Sequence, residues 1–255
     1  MCNADLRQLE LNEADLSWAR LNDADLSGAK LNRTKLVGAE LNKATLVGAE
    51  LNEAFLSKAE LNEAHLSRAE LNEADLFDAK LNKADLSEAK LNKARLIKAE
   101  LNEARLSGAE LNEAILGEAK LNKADLIVAE LNKADLSFAK LKKARLRFAE
   151  MSEARLSGAE LNEAIMIGTG VARAHLDYAD LTGAVYAPSS AAPDAYVAQI
   201  KGLETVLFPD GEEVGLVQLR DCCRRPVIAT WSARQRSLSK AGKRTTALLA
   251  TIRAT

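Results

Sequence analysis

Two histidines, His65 and His175, are the only imidazoles in the chain, and general acid–base chemistry would look to them first. Each sits immediately before a leucine, and more than 100 residues separate the two. A shared site is therefore not expected, and both are read as solvated surface residues. Cys2, Cys222 and Cys223 are the only thiols. Their spacing matches neither a zinc site nor a disulfide framework, and a bond between adjacent cysteines is strained. A reducing, cytoplasmic setting is the default for such a chain. Carboxylates are abundant, and Ser17, Ser27, Ser57 and Ser67 recur with a fixed rhythm. Repetition without a base, a glycine-rich phosphate loop or a nucleophile elbow marks a solvated face and structural turns. The expected catalytic, cofactor-binding and metal-binding sets are therefore empty. The chain is read as a non-enzyme with no small-molecule substrate.

The elements that would position any chemistry are set by one period. Leucine occupies every fifth position from Leu6 to Leu146, then Met151, Leu156, Leu161, Met166, Val171, Leu176, Leu181 and Tyr186 hold the slot. Two residues before each stands a small residue, almost always alanine; Leu9, Thr34 and Thr169 are the departures. A second period of ten places asparagine after every other leucine, from Asn12 to Asn132 and again at Asn162, with Lys142 and Ser152 interrupting.

The composition, rich in Ala, Glu, Lys and Leu, suggests a long helix, and the period rejects it. Five residues at about 100° each leave successive leucines about 140° apart, so no stripe forms. A flat strand fails as well, because an odd step alternates faces. A coil that turns a corner every five residues remains, with Leu and Ala pointing inward on every side.

Ala24-Asp25-Leu26-Ser27-Gly28 and Ala84-Asp85-Leu86-Ser87-Glu88 resemble the pentapeptide-repeat motif A-(D/N)-L-x-x, and the resemblance runs from Ala4 to Tyr186. It implies an all-β fold, a right-handed quadrilateral β-helix with four pentapeptides per coil. At 20 residues per coil that is about nine coils, roughly 43 Å long at about 4.8 Å between stacked strands. In such a rod Leu16, Leu21, Leu26 and Leu31 fill the axis, and Ala14, Ala19, Ala24 and Ala29 form the wall. Asn12, Asn22, Asn32, Asn42 and Asn52 stack as a ladder, since each amide both donates and accepts. The outward position of the two histidines is likewise what the family implies.

Three segments are expected: the β-helix over residues 1–187, a linker and short helical cap over 188–221, and a basic tail over 222–255. The first holds 25 Lys+Arg against 31 Asp+Glu. The tail holds eight Lys+Arg and no acid. It reads either as a disordered segment that binds nucleic acid or an acidic partner, or as a frameshift product. Freely chosen codons for residues 222–242 admit a one-base-shifted reading that is amphipathic and contains acids. The N-terminus shows no signal peptide and no cap, and no apolar run is long enough to span a membrane.

The functional expectation is a rigid scaffold for an unidentified protein partner, as a monomer or an end-to-end dimer. The resemblance adds two alternatives: a DNA mimic that binds DNA gyrase, and the soluble front end of a membrane-linked protein. Stepping one coil at a time gives Glu10, Lys30, Glu50, Glu70, Lys90, Glu110, Glu130 and Glu150 in one column, and Arg20, Glu40, Glu60, Lys80, Glu100, Lys120, Lys140 and Glu160 in another. The mixed signs favour ladder neutralisation over a phosphate-like field.

Overall fold

The structure is a computed structural model that describes residues 4–188. All but the first residue of the expected linker and cap, and the whole basic tail, lie outside the described residues.

Each pentapeptide builds the same unit. The leucine carbonyl accepts a hydrogen bond from the alanine N–H three residues on, as from Ala44 to Leu41 at 3.0 Å. The second residue after each leucine has a positive φ, for example 58° at Lys43, which is the signature of a type II turn. The residue between alanine and leucine is extended and pairs in parallel with its counterpart one coil on, from Asp5↔Asp25 to Glu160↔Asp180. His65 shows the ladder: its N–H donates to the Ala44 carbonyl at 2.9 Å, and its carbonyl accepts from Leu46 at 2.7 Å. Four such columns of bridges run along a parallel β-helix. Two elements are long enough to be strands, β1 (Ile165–Thr169) and β2 (Val185–Pro188), and they pair in parallel. Elsewhere a turn every five residues leaves one extended residue between corners.

The core is the stacked interior. From Leu21 to Leu181 the central slot is 0–6% exposed, and the alanine wall from Ala24 to Ala184 is fully buried. Among the expected core residues, Leu21, Leu26, Leu31, Ala24 and Ala29 are 0–3% exposed. Ala14, Leu16 and Ala19 differ and are only partly buried. Their coil has a described neighbour on one side only, and a solenoid coil buries its core between two. The departures in the alanine column separate by chemistry. Thr34 and Thr169 are buried, and their hydroxyls donate to the Leu11 and Leu146 carbonyls, each at 2.7 Å. Leu9 is 43% exposed, in the first coil.

One backbone donor per pentapeptide, the N–H just after leucine, finds no main-chain acceptor in this pattern. The period of ten follows from how that donor is satisfied. Where aspartate precedes the leucine, its short carboxylate reaches over the turn: Asp25 accepts from Ser27 N–H at 3.0 Å, and Asp85 from Ser87 N–H at 3.1 Å. At most positions where the longer glutamate or lysine stands there, the N–H belongs to asparagine and donates to the asparagine one coil earlier; Lys142 and Ser152 donate in the same way to Asn122 and Asn132. Asn32 N–H reaches Asn12 Oδ1 and Asn42 N–H reaches Asn22 Oδ1, both at 2.9 Å.

The amide nitrogen then follows the charge that stands just short of one coil ahead. With glutamate there it donates to the carboxylate, as Asn22 to Glu40 at 2.9 Å and Asn52 to Glu70 at 3.2 Å. With lysine there it turns to the preceding asparagine, as Asn62 to Asn42 at 2.9 Å and Asn102 to Asn82 at 2.9 Å. No buried side-chain polar atom among the described residues lacks a partner.

The turns also carry strain. Most positive-φ positions hold side chains rather than glycine, and a left-handed conformation costs an L-residue about 1–2 kcal/mol. Gly48 has φ +63° and nothing within 4 Å of an added Cβ, so Gly48→Ala isolates that cost. It is expected to lower stability by about 1 kcal/mol, and Lys58→Gly, at φ 59°, to raise it by somewhat less. Urea titration of the two variants checks both signs.

Candidate interaction surface

The outward residues fall on four sides and four corners. On the sides, stacked charges alternate and pair across one coil. Lys30 reaches Glu10 at 2.8 Å, Lys80 Glu60 at 2.8 Å, Lys90 Glu70 at 2.9 Å and Lys120 Glu100 at 2.7 Å. Exposed pairs of this kind contribute little each. Their effect is to cancel the field along most of the rod. In one run, Glu110, Glu130 and Glu150 are successive bridge neighbours with no lysine between them. They form no ion pair among the described residues and accept amide hydrogen bonds from Asn92, Asn112 and Asn132.

The paired carboxylates titrate low. Hydrogen bonds first from lysine and then from asparagine hold Glu60, Glu70 and Glu100 below the ordinary glutamate range. Burial alone would raise Asp85, but the Ser87 hydrogen bonds and the charge of Arg105 hold it below the aspartate value. At the first coil, Arg7 holds Asp5 down to about 2. Groups depressed on folding contribute stability above their unfolded pKa, near 4, and lose it as pH falls through the folded value. The melting temperature is therefore expected to be flat above about pH 5 and to fall steadily between about pH 4 and pH 2. Added salt should shrink the drop, and circular dichroism melts across that range test it.

The histidines lie on opposite sides of the rod. His65 bridges Thr45 and Asp85, and His175 bridges Arg155. The structure does not bring them together. Two shallow depressions open to solvent among charged side chains; one runs past Asp78, Lys98 and Glu118 to Phe138 and Gly158. No group of three or more potential metal ligands occurs among the described residues. Among the described residues there is no helix long and apolar enough to cross a membrane.

The corners carry what the periods hide. Trp18, Phe138 and Tyr178 share one corner column and are 71%, 64% and 69% exposed. Val128 and Phe148 share the diagonally opposite corner. Several of these large side chains lie over a glycine one coil later. A Cβ at Gly38 would fall 2.3 Å from the Trp18 ring, and one at Gly158 would fall 2.6 Å from Phe138. Glycine thus makes room for the ring to lean along the rod. The signal was present in the sequence as a large third-position residue followed one coil later by glycine.

These features define a stacked-coil rod built from one five-residue unit. The family profile described as pentapeptide repeats (8 copies) matches in overlapping stretches from residue 1 to residue 185. HetL, a pentapeptide repeat protein involved in heterocyst differentiation regulation from the cyanobacterium Nostoc sp. strain PCC 7120, is similar in structure at a TM-score of 0.52. It is 34% identical, over 74% of this chain and 90% of that one. QnrB1, a plasmid-mediated fluoroquinolone resistance protein, superimposes at a TM-score of 0.59 with 22% identity, over 80% of this chain and 97% of that one. Among curated proteins no sequence matches. The chain belongs to the pentapeptide-repeat family, and its fold is the right-handed β-helix of that family.

Proposed function

We propose that the chain is a rigid, non-catalytic protein-binding rod of about nine coils, working in the cytoplasm, whose partner contacts the corner that bears Phe138 and Tyr178. The observation that carries this reading is the pair of aromatics left uncovered two coils apart on a surface whose side charges are largely cancelled. Aromatic anchors are enriched at protein interfaces, and a neutralised surround lowers the desolvation cost of docking. The family's members include regulatory and resistance proteins, which supports a binding role. Full-length tagged protein should retain a specific protein from native cell lysate, and Phe138→Asp with Tyr178→Asp should abolish that retention while leaving the melting temperature unchanged. Turnover of a substrate with no protein retained would overturn the reading.

A DNA-mimic action on gyrase is favoured by one observation, the uncompensated run Glu110–Glu130–Glu150, together with the fold shared with QnrB1. A supercoiling assay in which the protein neither inhibits gyrase nor protects it from a fluoroquinolone removes this reading. The membrane-linked alternative concerns residues outside those described, and an open downstream reading frame encoding apolar spans would support it.

A further inference from the structure

Along one strip of the rod, uncompensated acid and exposed apolar surface lie side by side. Glu110, Glu130 and Glu150 are successive bridge neighbours on one side, and none forms an ion pair among the described residues. The corner next to this side carries Val128 and Phe148, 54% and 55% exposed, with Ile127 and Ile167 half-buried beside them. The Phe148 ring leans over Gly168, so the apolar surface continues one coil further. At the far edge of the corner, the Arg147 guanidinium lies 5.9 Å from the Phe148 ring centroid and has no carboxylate partner among the described residues. Elsewhere the two features are separate. Glu50 and Glu70, on the same side, stand beside a corner of Gly48 and Arg68, and Lys90 pairs with Glu70 at 2.9 Å. Phe138, on the diagonally opposite corner, stands beside Lys120 and Lys140.

We infer that this strip docks a helix of a partner protein, laid along the rod, with an apolar stripe on Val128 and Phe148 and a row of Lys or Arg over the glutamates. Charge selects the occupant: an apolar or acidic segment would strip water from three carboxylates and offer them no cation, which is unfavourable. Spacing selects the helix. Residues one coil apart recur at about 4.8 Å, so Glu110 and Glu150 stand about 10 Å apart. Residues i, i+3 or i+4, and i+7 of a helix recur at about 5.4 Å per turn and span about 10.5 Å. Same-face residues of an extended strand recur at about 6.6 Å and fall out of step with the coils. Arg147, on the other edge of the corner, sets the polarity by favouring an acidic residue on the opposite edge of that helix. The strip lies diagonally across the rod from the Phe138–Tyr178 corner, so this inference is independent of the partner reading.

Fluorescence anisotropy of labelled synthetic helices with the full-length protein tests this. The probe is an amphipathic peptide of about five turns with a leucine stripe, a lysine row along one edge and a glutamate on the other. One control replaces the lysines with glutamate, and a second replaces the leucines with glutamine. The probe is expected to bind about tenfold more tightly than either control. Glu130→Gln with Glu150→Gln should weaken it about fivefold, the share of two exposed ion pairs. Each glutamine keeps the oxygen that accepts from Asn112 or Asn132, so the rod's melt should not move. Val128→Ser with Phe148→Ser should weaken it about tenfold, and the glutamine pair keeps the test valid should that variant fold poorly. Glu50→Gln with Glu70→Gln, on the same side, should leave the affinity within about twofold. No binding of the probe, or an equal loss in the Glu50 and Glu70 variant, overturns the proposal. So does equal binding of the glutamine control, which would reduce the strip to charge alone, or of the glutamate control. Self-association that rises with protein concentration and is lost in the Val128 and Phe148 variant would assign the strip to a second copy and overturn it equally.

Discussion

Leu91→Ala is expected to lower the unfolding free energy by about 2–5 kcal/mol, the range for removing a fully buried leucine from a core that cannot collapse around the gap. Leu91 is fully buried, and its N–H donates to the Glu110 carbonyl at 2.7 Å. The wall cannot close in, because every neighbour is fixed by the same inter-coil hydrogen bonds. A solenoid coil is held only by the coils next to it, so a gap at mid-rod also weakens the coupling between the two halves. Urea unfolding of Leu91→Ala should therefore broaden or split into two transitions, and Leu91→Asp, which buries an unpaired charge, should leave no folded rod. Leu16→Ala is the internal control. Leu16 is only partly buried, so its removal should cost clearly less. Equal losses at the two positions would contradict the stacked-core account.

Asn82→Ala is expected to cost about 2 kcal/mol, from leaving buried or half-buried donors without acceptors. Asn82 Oδ1 accepts from Asn102 N–H at 3.2 Å and from Asn102 Nδ2 at 2.9 Å. Its own amide donates to Asn62 at 3.1 Å and to Glu100 at 3.1 Å. Few side chains on the rod join as many groups. Asn162, whose slot is flanked by Lys142 and Thr182 in place of asparagine, is the comparison; Asn162→Ala should change stability by less than about 0.5 kcal/mol. Denaturant titrations of both variants decide this. A loss at Asn162 as large as at Asn82 would mean that the asparagine column acts through something other than these hydrogen bonds.

The two predictions mark how far the sequence could be read. Leucine and alanine at fixed slots require that five-residue units turn and stack, so a turning coil with both columns inside was legible from the period, while the right-handed β-helix was what the family resemblance implied. The asparagine column was legible as a ladder, but its chemistry was not. The amide oxygen chiefly serves the next coil's backbone N–H. Whether the amide nitrogen gains a carboxylate acceptor depends on the charge just short of one coil ahead, as Glu40 lies ahead of Asn22 and Lys80 ahead of Asn62, and Asn82 and Asn92 donate to a glutamate and to the preceding asparagine alike. That offset becomes visible only once coils are stacked. The same holds for the role of Asp25 and Asp85, whose short side chains take the place of asparagine at alternate corners. Ala14, Leu16 and Ala19 fit the core pattern yet are only partly buried, because period does not encode how many neighbours a coil has. Thr34 and Thr169 read as faults in the alanine column, and each supplies a hydroxyl to a leucine carbonyl of the preceding coil. The candidate site was least legible. Trp18, Phe138 and Tyr178 lie whole numbers of coils apart in a chain dominated by periods of five and ten, and single aromatics on a repeated surface stand out only when the corners are aligned.

The most direct test of the protein-binding account is photo-cross-linking from the Tyr178 position in the native cell. Replacing Tyr178 with a benzophenone amino acid puts the probe on the proposed corner, and Lys58, in the same corner column nearer the start of the rod, carries the control probe. The account predicts one saturable protein adduct from position 178, none from position 58, and loss of the adduct when Phe138→Asp is added. No adduct above the control, or adducts of equal yield from both positions, would contradict it.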